Sequence, residues 1–367
     1  MESEAKRTTK KRSKLGQIFK IFGIVLAAII LLPIITVFVI RGVNNIRFQL
    51  PDGVQEKIYV ELGGISQFIN IRGADKENPV VIWLHGGPGS PDTFLTTTWG
   101  LDLENDYTFI RWDQRGSGRT YFQSEDAPLS INILLSDLDD LVDYASERFK
   151  QPIVIAGHSW GTALGITYAD THPDKIAGYV GVGQLVNAEE SDRLAALAAA
   201  RLARDTGNEQ DAAEIETLYV ALAETGITDE NLDISGFLKF RNLTTSYLAP
   251  GGKVPFITAL CSPDFGWDDL RWNLLLMTDL DRFVALQRPL FAAFDTFIPP
   301  EQLEVKCTFI HGDNDYVCSF SLFKEYQQKL SAPSSEIFIM PGLGHTPMYD
   351  APDEFGEILK QALRNMR

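Results

Sequence analysis

The sequence predicts an α/β fold in which a mostly parallel sheet, covered by helices on both faces, is interrupted by a helical lobe and preceded by a transmembrane helix. Three observations carry that expectation. Short apolar, β-branched runs alternate with helix-spaced stretches over most of the chain. The alternation lapses over residues 184–290, where alanine, leucine and acidic residues dominate and no buried strand is evident. Ahead of both stands an uncharged run, residues 21–40.

That run is the first element. As a helix it spans about 30 Å, the thickness of a bilayer's hydrocarbon core. Lys6, Arg7, Lys10, Lys11, Arg12 and Lys14 precede it, whereas only Arg41 and Arg47 stand close on the other flank. The positive-inside tendency then keeps the N-terminus cytoplasmic and the body outside, as a single-pass protein. A cleaved signal with a secreted body, or a buried core helix, would be the alternatives. The run exceeds a usual signal core, however, and Val37-Phe38-Val39-Ile40-Arg41 lacks a small-x-small cleavage pattern. Pro33 inside the run is tolerable in a membrane. The expected organisation is a basic cytoplasmic tail over 1–20, an anchor over 21–40, sheet-domain segments over 41–183 and 291–367, and the helical lobe over 184–290.

Next come two strand-like runs, 57–62 and 65–72, separated by Gly63-Gly64, a hairpin signal. The continuous apolar run 79–84 has the character of a strand buried on both faces, and 107–112 is a further strand candidate. Leu134, Leu138, Leu141, Val142, Ala145 and Phe149 recur at helical spacing. Strands follow over 152–156 and 176–182, with a helix between them from Thr162 onward. Inside the lobe, Thr206-Gly207 and Gly226 stop helices. Alternation resumes with a strand over 305–310, a helix over 319–330, a strand over 336–340 and a last helix over 352–364.

Charge narrows the partners. The first fifty residues carry a net charge of +7, which leaves −23 on the remainder of a chain whose total is −16. So acidic a body argues against nucleic acid, which needs a basic face. Cys261, Cys307 and Cys318 are too few and scattered for a disulfide framework or a metal site. No metal-ligand or phosphate-loop pattern is visible, so neither metal nor cofactor is expected.

The chemistry centres on Gly157-His158-Ser159-Trp160-Gly161, which lies between a strand and a helix. In that context the pattern reads as a nucleophile elbow. The turn strains the backbone of Ser159, and small neighbours two positions away permit it. A serine hydroxyl needs a base, and a third group to orient that base. His345, in the glycine-rich loop after the last strand, can reach back over the sheet edge. His85, His158, His172 and His311 have no clear route to Ser159, and His85 and His158 are read as supports for the local backbone. Asp313 and Asp315 both qualify by position as the orienting acid. The chain order Ser, Asp, His agrees with the α/β-hydrolase order and not with the other two triad orders. For an oxyanion, the N–H of Trp160 supplies one donor and the loop His85-Gly86-Gly87-Pro88-Gly89 a second, most plausibly at Gly87.

Together, the loop 85–89, Asp113-Gln114-Arg115-Gly116-Ser117-Gly118, the elbow, residues 312–315 and Gly344-His345 resemble the prolyl iminopeptidase family of α/β-hydrolases over residues 56–367. The resemblance implies Ser159 as nucleophile, Asp315 as acid, His345 as base, and a helical cap over 184–290 roofing the site. Family aminopeptidases bind the substrate's free amine with cap carboxylates, a role that Glu189 and Glu190 could take. Those two also suit a capping box, with Asn187 as N-cap and Glu190 three residues on. Asp113 and Arg115 read as loop scaffold. One departure bears on substrate: His158 stands where family aminopeptidases commonly have glycine. The expected function is a serine hydrolase cleaving an amide or ester of a small molecule or short peptide, with an aminopeptidase as the leading form. A carboxylesterase or lipase-like enzyme and a non-catalytic receptor on the same scaffold are the alternatives.

Overall fold

The computed structural model describes residues 2–100, 102–226, 234–248 and 254–366. Parts of the expected lobe, residues 227–233 and 249–253, lie outside the described residues, as do the side chains of the basic tail over 1–19.

The described residues divide into two compact units. The smaller comprises residues 1–49 and 255–263. Its main element is α1, Glu2–Arg47, one continuous helix through Pro33. The segment Lys20–Arg47 is long and apolar enough to cross a membrane. The helix therefore overruns both expected anchor boundaries, since neither the basic tail nor Arg41 contains a residue that stops it.

The larger unit is built on an eight-stranded sheet. Its strands are β1 (Val54–Leu62), β2 (Ile65–Gly73), β3 (Val80–Leu84), β4 (Thr108–Trp112), β5 (Ile153–His158), β6 (Gly178–Val182), β7 (Lys306–Gly312) and β8 (Ser335–Met340). The spatial order is β1-β2-β4-β3-β5-β6-β7-β8. The β1–β2 hairpin and the β2–β4 pair are antiparallel, and every later pairing is parallel. Alternate side chains of β3 enter opposite cores: Ile82 and Leu84 join one apolar cluster, Val81 and Trp83 another. The first is closed by α2 (Ile131–Phe149) and α3 (Trp160–Thr171), the second by α11 (Pro352–Arg364). Two helix-covered faces are why β3 and β5 read as uninterrupted apolar runs.

The lobe contributes α4 (Ala188–Asp205), α5 (Glu209–Thr225), α6 (Ile234–Leu248), α8 (Trp267–Thr278) and α9 (Leu280–Asp295). The short helix α7 (Phe256–Cys261) falls between α6 and α8 in sequence but belongs to the smaller unit. Ala196, Ala199, Ala200, Ala203 and Ala212 pack with Ile215, Leu222 and Phe240 in a core of the lobe's own. Small side chains let α4 and α5 approach closely, which explains the alanine-rich composition. Helix α9 continues past residue 290 to Asp295, so the expected lobe boundary falls inside a helix. Pro289 did not end it, because the apolar face that includes Leu290 and Phe294 continues the periodicity. Helix α10 (Phe320–Lys329) follows β7.

Candidate active site

Strand β5 ends at His158, and α3 begins at Trp160. Ser159 between them holds φ +54° and ψ −119°, a conformation that costs a non-glycine residue energy. The flanking glycines are explained by close approach. A Cβ on Gly157 would strike the carbonyl of Gly161, and a Cβ on Gly161 would strike that of Leu84. The turn thus lifts a serine hydroxyl to the carboxyl end of the sheet, at the N-terminus of a helix.

His345 meets it from the loop after β8. Its Nε2 lies 2.8 Å from Ser159 Oγ, and its Nδ1 lies 2.9 Å from Asp315 Oδ2. A carboxylate only accepts, so Nδ1–H donates to Asp315 and the Nε2 lone pair faces the serine hydroxyl. Asp315 also accepts from the N–H groups of Val317 and Cys318, each at 2.9 Å. Burial pushes its carboxyl up, but His345, His311 and the Cys318 N–H outweigh burial and hold it below the ordinary carboxylate range. Of the two aspartates left open by position, Asp313 is elsewhere engaged: its exposed Oδ1 accepts from Gly342 N at 2.6 Å. That bond, with Asn314 N donating to Leu343 O at 3.0 Å, ties the loops after β7 and β8 together. Burial holds the Cys318 thiol far above its ordinary value, so it is no rival nucleophile.

His158 has a larger part than the sequence suggested. Its Nε2 donates to the carbonyl of His345 at 2.9 Å, and the two rings sit 4.9 Å apart. Burial, then the neighbouring His345, push its pKa down to about 3, so the ring stays neutral. The residue before Ser159 therefore tethers the backbone of His345. No local signal could have shown this, because the two residues are far apart in the chain.

The remaining motifs brace the loops. His85 Nε2 accepts from Gln114 N at 3.3 Å, while Gln114 Oε1 accepts from the indole of Trp160 at 3.2 Å. Arg115 grips Asp137 at 2.7 and 2.8 Å and donates to Gly63 O at 2.8 Å, joining this loop to α2 and the hairpin turn. Asp113 accepts from Thr93 Oγ1 and Arg119 N at 2.8 and 2.9 Å. Gly87, at φ +125°, lies on the wall of the cavity beside Ser159. Trp160 N–H is the first of α3 and has no carbonyl four residues earlier in that helix to bind.

Above Ser159 is a cavity of about 560 Å³. Its floor includes Gly86, Gly87, His158 and His345, and its roof is apolar: Phe237, Leu276, Leu280, Phe283, Phe291 and Phe294 from the lobe. The acidic and basic side chains among its described lining residues are Asp92 and Arg241. Asp92 Oδ2 accepts from Trp83 Nε1 at 2.9 Å, and burial pushes its carboxyl up. Arg241 is paired with the buried Asp192 at 2.9 Å.

Glu189 and Glu190 do not reach this cavity. Glu189 lines a separate one of about 190 Å³ together with Asp192, Tyr219 and Asp295. Glu190 binds Arg193 at 2.7 and 2.6 Å on the surface. Neither carboxylate is among the described residues lining the cavity beside Ser159, so that lining lends the amine-binding expectation no support. Half of the expected capping box is present. Asn187 accepts from Glu190 N at 2.8 Å, but the Glu190 side chain is taken by Arg193 instead of closing the box.

A serine on a strand-to-helix elbow, a histidine bonded to it and a buried aspartate behind, all at the carboxyl edge of a parallel sheet, define an α/β hydrolase scaffold. Residues 81–358 match the alpha/beta hydrolase family, and the chain belongs to it. A relative described as "Probable aminopeptidase YbaC" from Bacillus subtilis (strain 168) is 27% identical over 324 residues, covering 83% of this chain and 95% of its own. A proline iminopeptidase structure from Mycobacterium smegmatis superposes with a TM-score of 0.59 at 17% identity, covering 85% of this chain and 98% of that one. The structure of a membrane phospholipase A, described as a bacterial virulence factor, gives 0.58 at 17% identity over 97% and 99% of the two chains. At such identities the two structures speak to fold.

Proposed function

We propose that this protein is a membrane-anchored serine hydrolase that cleaves an amide or ester through an acyl-enzyme. The observation that carries the proposal is the hydrogen-bonded chain Ser159–His345–Asp315 at the floor of a cavity lined above by apolar side chains of the lobe. Ser159 Oγ attacks the substrate carbonyl while His345 Nε2 takes its proton, and Asp315 stabilises the imidazolium. The N–H groups of Trp160 and Gly87 face the developing oxyanion, each contributing about 3 kcal/mol. His345 returns the proton to the leaving amine or alcohol. Water, activated by the same imidazole, then releases the acid and restores Ser159. Residues 21–40 hold the body to the membrane, with the basic tail cytoplasmic.

The leading specific reading is an aminopeptidase of prolyl iminopeptidase type, supported by the near full-length relative carrying an aminopeptidase description. The apolar roof and the absence of Glu189 and Glu190 from the cavity favour a second reading, a carboxylesterase or lipase-like enzyme. The test is a panel of proline anilides against nitrophenyl esters of increasing acyl length, with Ser159→Ala as the blank. Anilide turnover supports the peptidase, and ester turnover alone supports the esterase. Failure of both, with no fluorophosphonate labelling of Ser159, would leave a receptor on a hydrolase scaffold.

A further inference from the structure

Residues 254–263 read Val254-Pro255-Phe256-Ile257-Thr258-Ala259-Leu260-Cys261-Ser262-Pro263, with no charged side chain in a protein that is 22% charged. In sequence they interrupt the lobe, between α6 and α8. In space, residues 255–263 join residues 1–49 as one compact unit. The attachment is made by polar groups. Asn44 Nδ2 donates to the carbonyl of Cys261 at 3.0 Å, and the Arg41 guanidinium reaches the carbonyl of Pro263 at 3.5 Å. The first of these carbonyls belongs to the last residue of α7, where backbone oxygens lack partners within the helix. Helix α1 thus supplies a donor to the last carbonyl of its short neighbour, at the point where its own uncharged run has just ended.

The division of the α7 surface is equally informative. Ala259 and Cys261 are buried, whereas Phe256 and Ile257 remain 45% and 52% exposed. On α1, Val43 and Ile46 are also exposed. Exposed large apolar side chains are unfavourable in water and stable at the boundary between headgroups and acyl chains. A protein-binding surface would carry a polar rim, and this segment offers only Thr258 and Ser262 for one. Without Lys or Arg, it has nothing with which to read headgroup charge.

We propose that residues 255–263 form a second membrane contact, in which α7 docks on the C-terminal end of the α1 span and sinks Phe256 and Ile257 into the adjoining leaflet. The partner is the lipid surface itself, engaged through its apolar layer and independently of headgroup charge. Because α6 and α8 each contribute side chains to the Ser159 cavity, the polypeptide that roofs that cavity is joined covalently to a lipid-bound segment. The inference rests on α1 being a membrane span, and the experiment separates the two.

The full chain is reconstituted into phosphatidylcholine vesicles, with and without phosphatidylglycerol, carrying an environment-sensitive fluorophore on Ile257→Cys. Ile30→Cys, in the middle of α1, reports the span. Ile298→Cys, on an exposed residue of the larger unit, reports water, and the unsubstituted chain gives the labelling blank for the buried native cysteines. The expected result is blue-shifted emission at 257, quenched by a nitroxide lipid labelled near its headgroup and spared by an aqueous nitroxide, equally in both vesicle types. Quenching at 257 by the aqueous nitroxide to the level seen at 298, while 30 stays lipid-quenched, overturns the proposal alone. Aqueous quenching at 30 overturns the span and this contact with it. Phe256→Asp, expected to shift the 257 emission to the red while fluorophosphonate labelling of Ser159 persists, guards against a folding artefact; an unchanged emission in that variant also overturns the proposal.

Discussion

Ser159 sits at positive φ with its hydroxyl on His345, so the strain of the elbow and the position of the serine hydroxyl are one feature. Ser159→Ala should abolish fluorophosphonate labelling and lower turnover by at least about 10⁴-fold, with an unchanged unfolding temperature. Glu189→Gln combined with Glu190→Gln should leave KM within about twofold for any substrate, because uniform binding energy is lost only where contacts are lost; a large rise in KM would return the amine-binding role to α4. His158 yields a pH prediction. Its pKa of about 3 lies below the ordinary 6.5, so the unfolded chain takes the proton first. Its contribution to stability is complete above pH 6.5 and is lost as pH falls toward 3, with a slope of up to about 1.4 kcal/mol per pH unit. Asp192 acts in the opposite sense. Burial raises it from 3.8 to about 6 against the pull of Arg241, so its contribution is present below 3.8 and lost as pH rises through 6. Comparing His158→Gln with the parent between pH 4 and 7 by denaturant titration isolates the histidine, and an unaltered slope would show that His158 titrates normally.

At the scale of elements, α3 and β3 are held so close that a methyl group does not fit between them. Gly161→Ala should cost about 3 kcal/mol, the upper end of overpacking, or prevent folding outright, since the obstruction is backbone and cannot rotate away. The loops after β7 and β8, which carry Asp315 and His345, are bonded to each other through Asp313 and Asn314. The strand and helix pattern was readable because period and burial agree: β3 and β5 are buried on both faces, and α2 shows its apolar stripe. The end of the lobe was less readable. A proline at position 289 is a helix-breaking signal in sequence, but the packing of Leu290 and Phe294 overrides it.

For the whole molecule, the charge division between a basic N-terminus and an acidic body, together with an unburied apolar α1, leads to one expectation about partitioning. The full chain should resist extraction by salt or alkaline carbonate and yield to detergent, whereas a chain lacking residues 1–47 should be released by alkaline carbonate. Fractionation followed by immunodetection checks this, and recovery of the intact chain in the salt wash would contradict the membrane reading.

Local pattern alone determined that this chain builds a two-sided, mostly parallel sheet, that a serine stands on a strained turn at its edge, and that Asp315 and His345 are candidates to join it. These follow from periodicity and from glycine sterics, which act over a few residues. Only tertiary structure decided that Asp313 turns to Gly342 instead, that His158 holds the His345 carbonyl, that Glu189 and Glu190 miss the cavity, and that residues 255–263 leave the lobe for α1. Each of those outcomes depends on the direction of a side chain relative to a partner remote in sequence. Direction is set by how helices pack over the sheet, and no spacing rule along a single chain contains it.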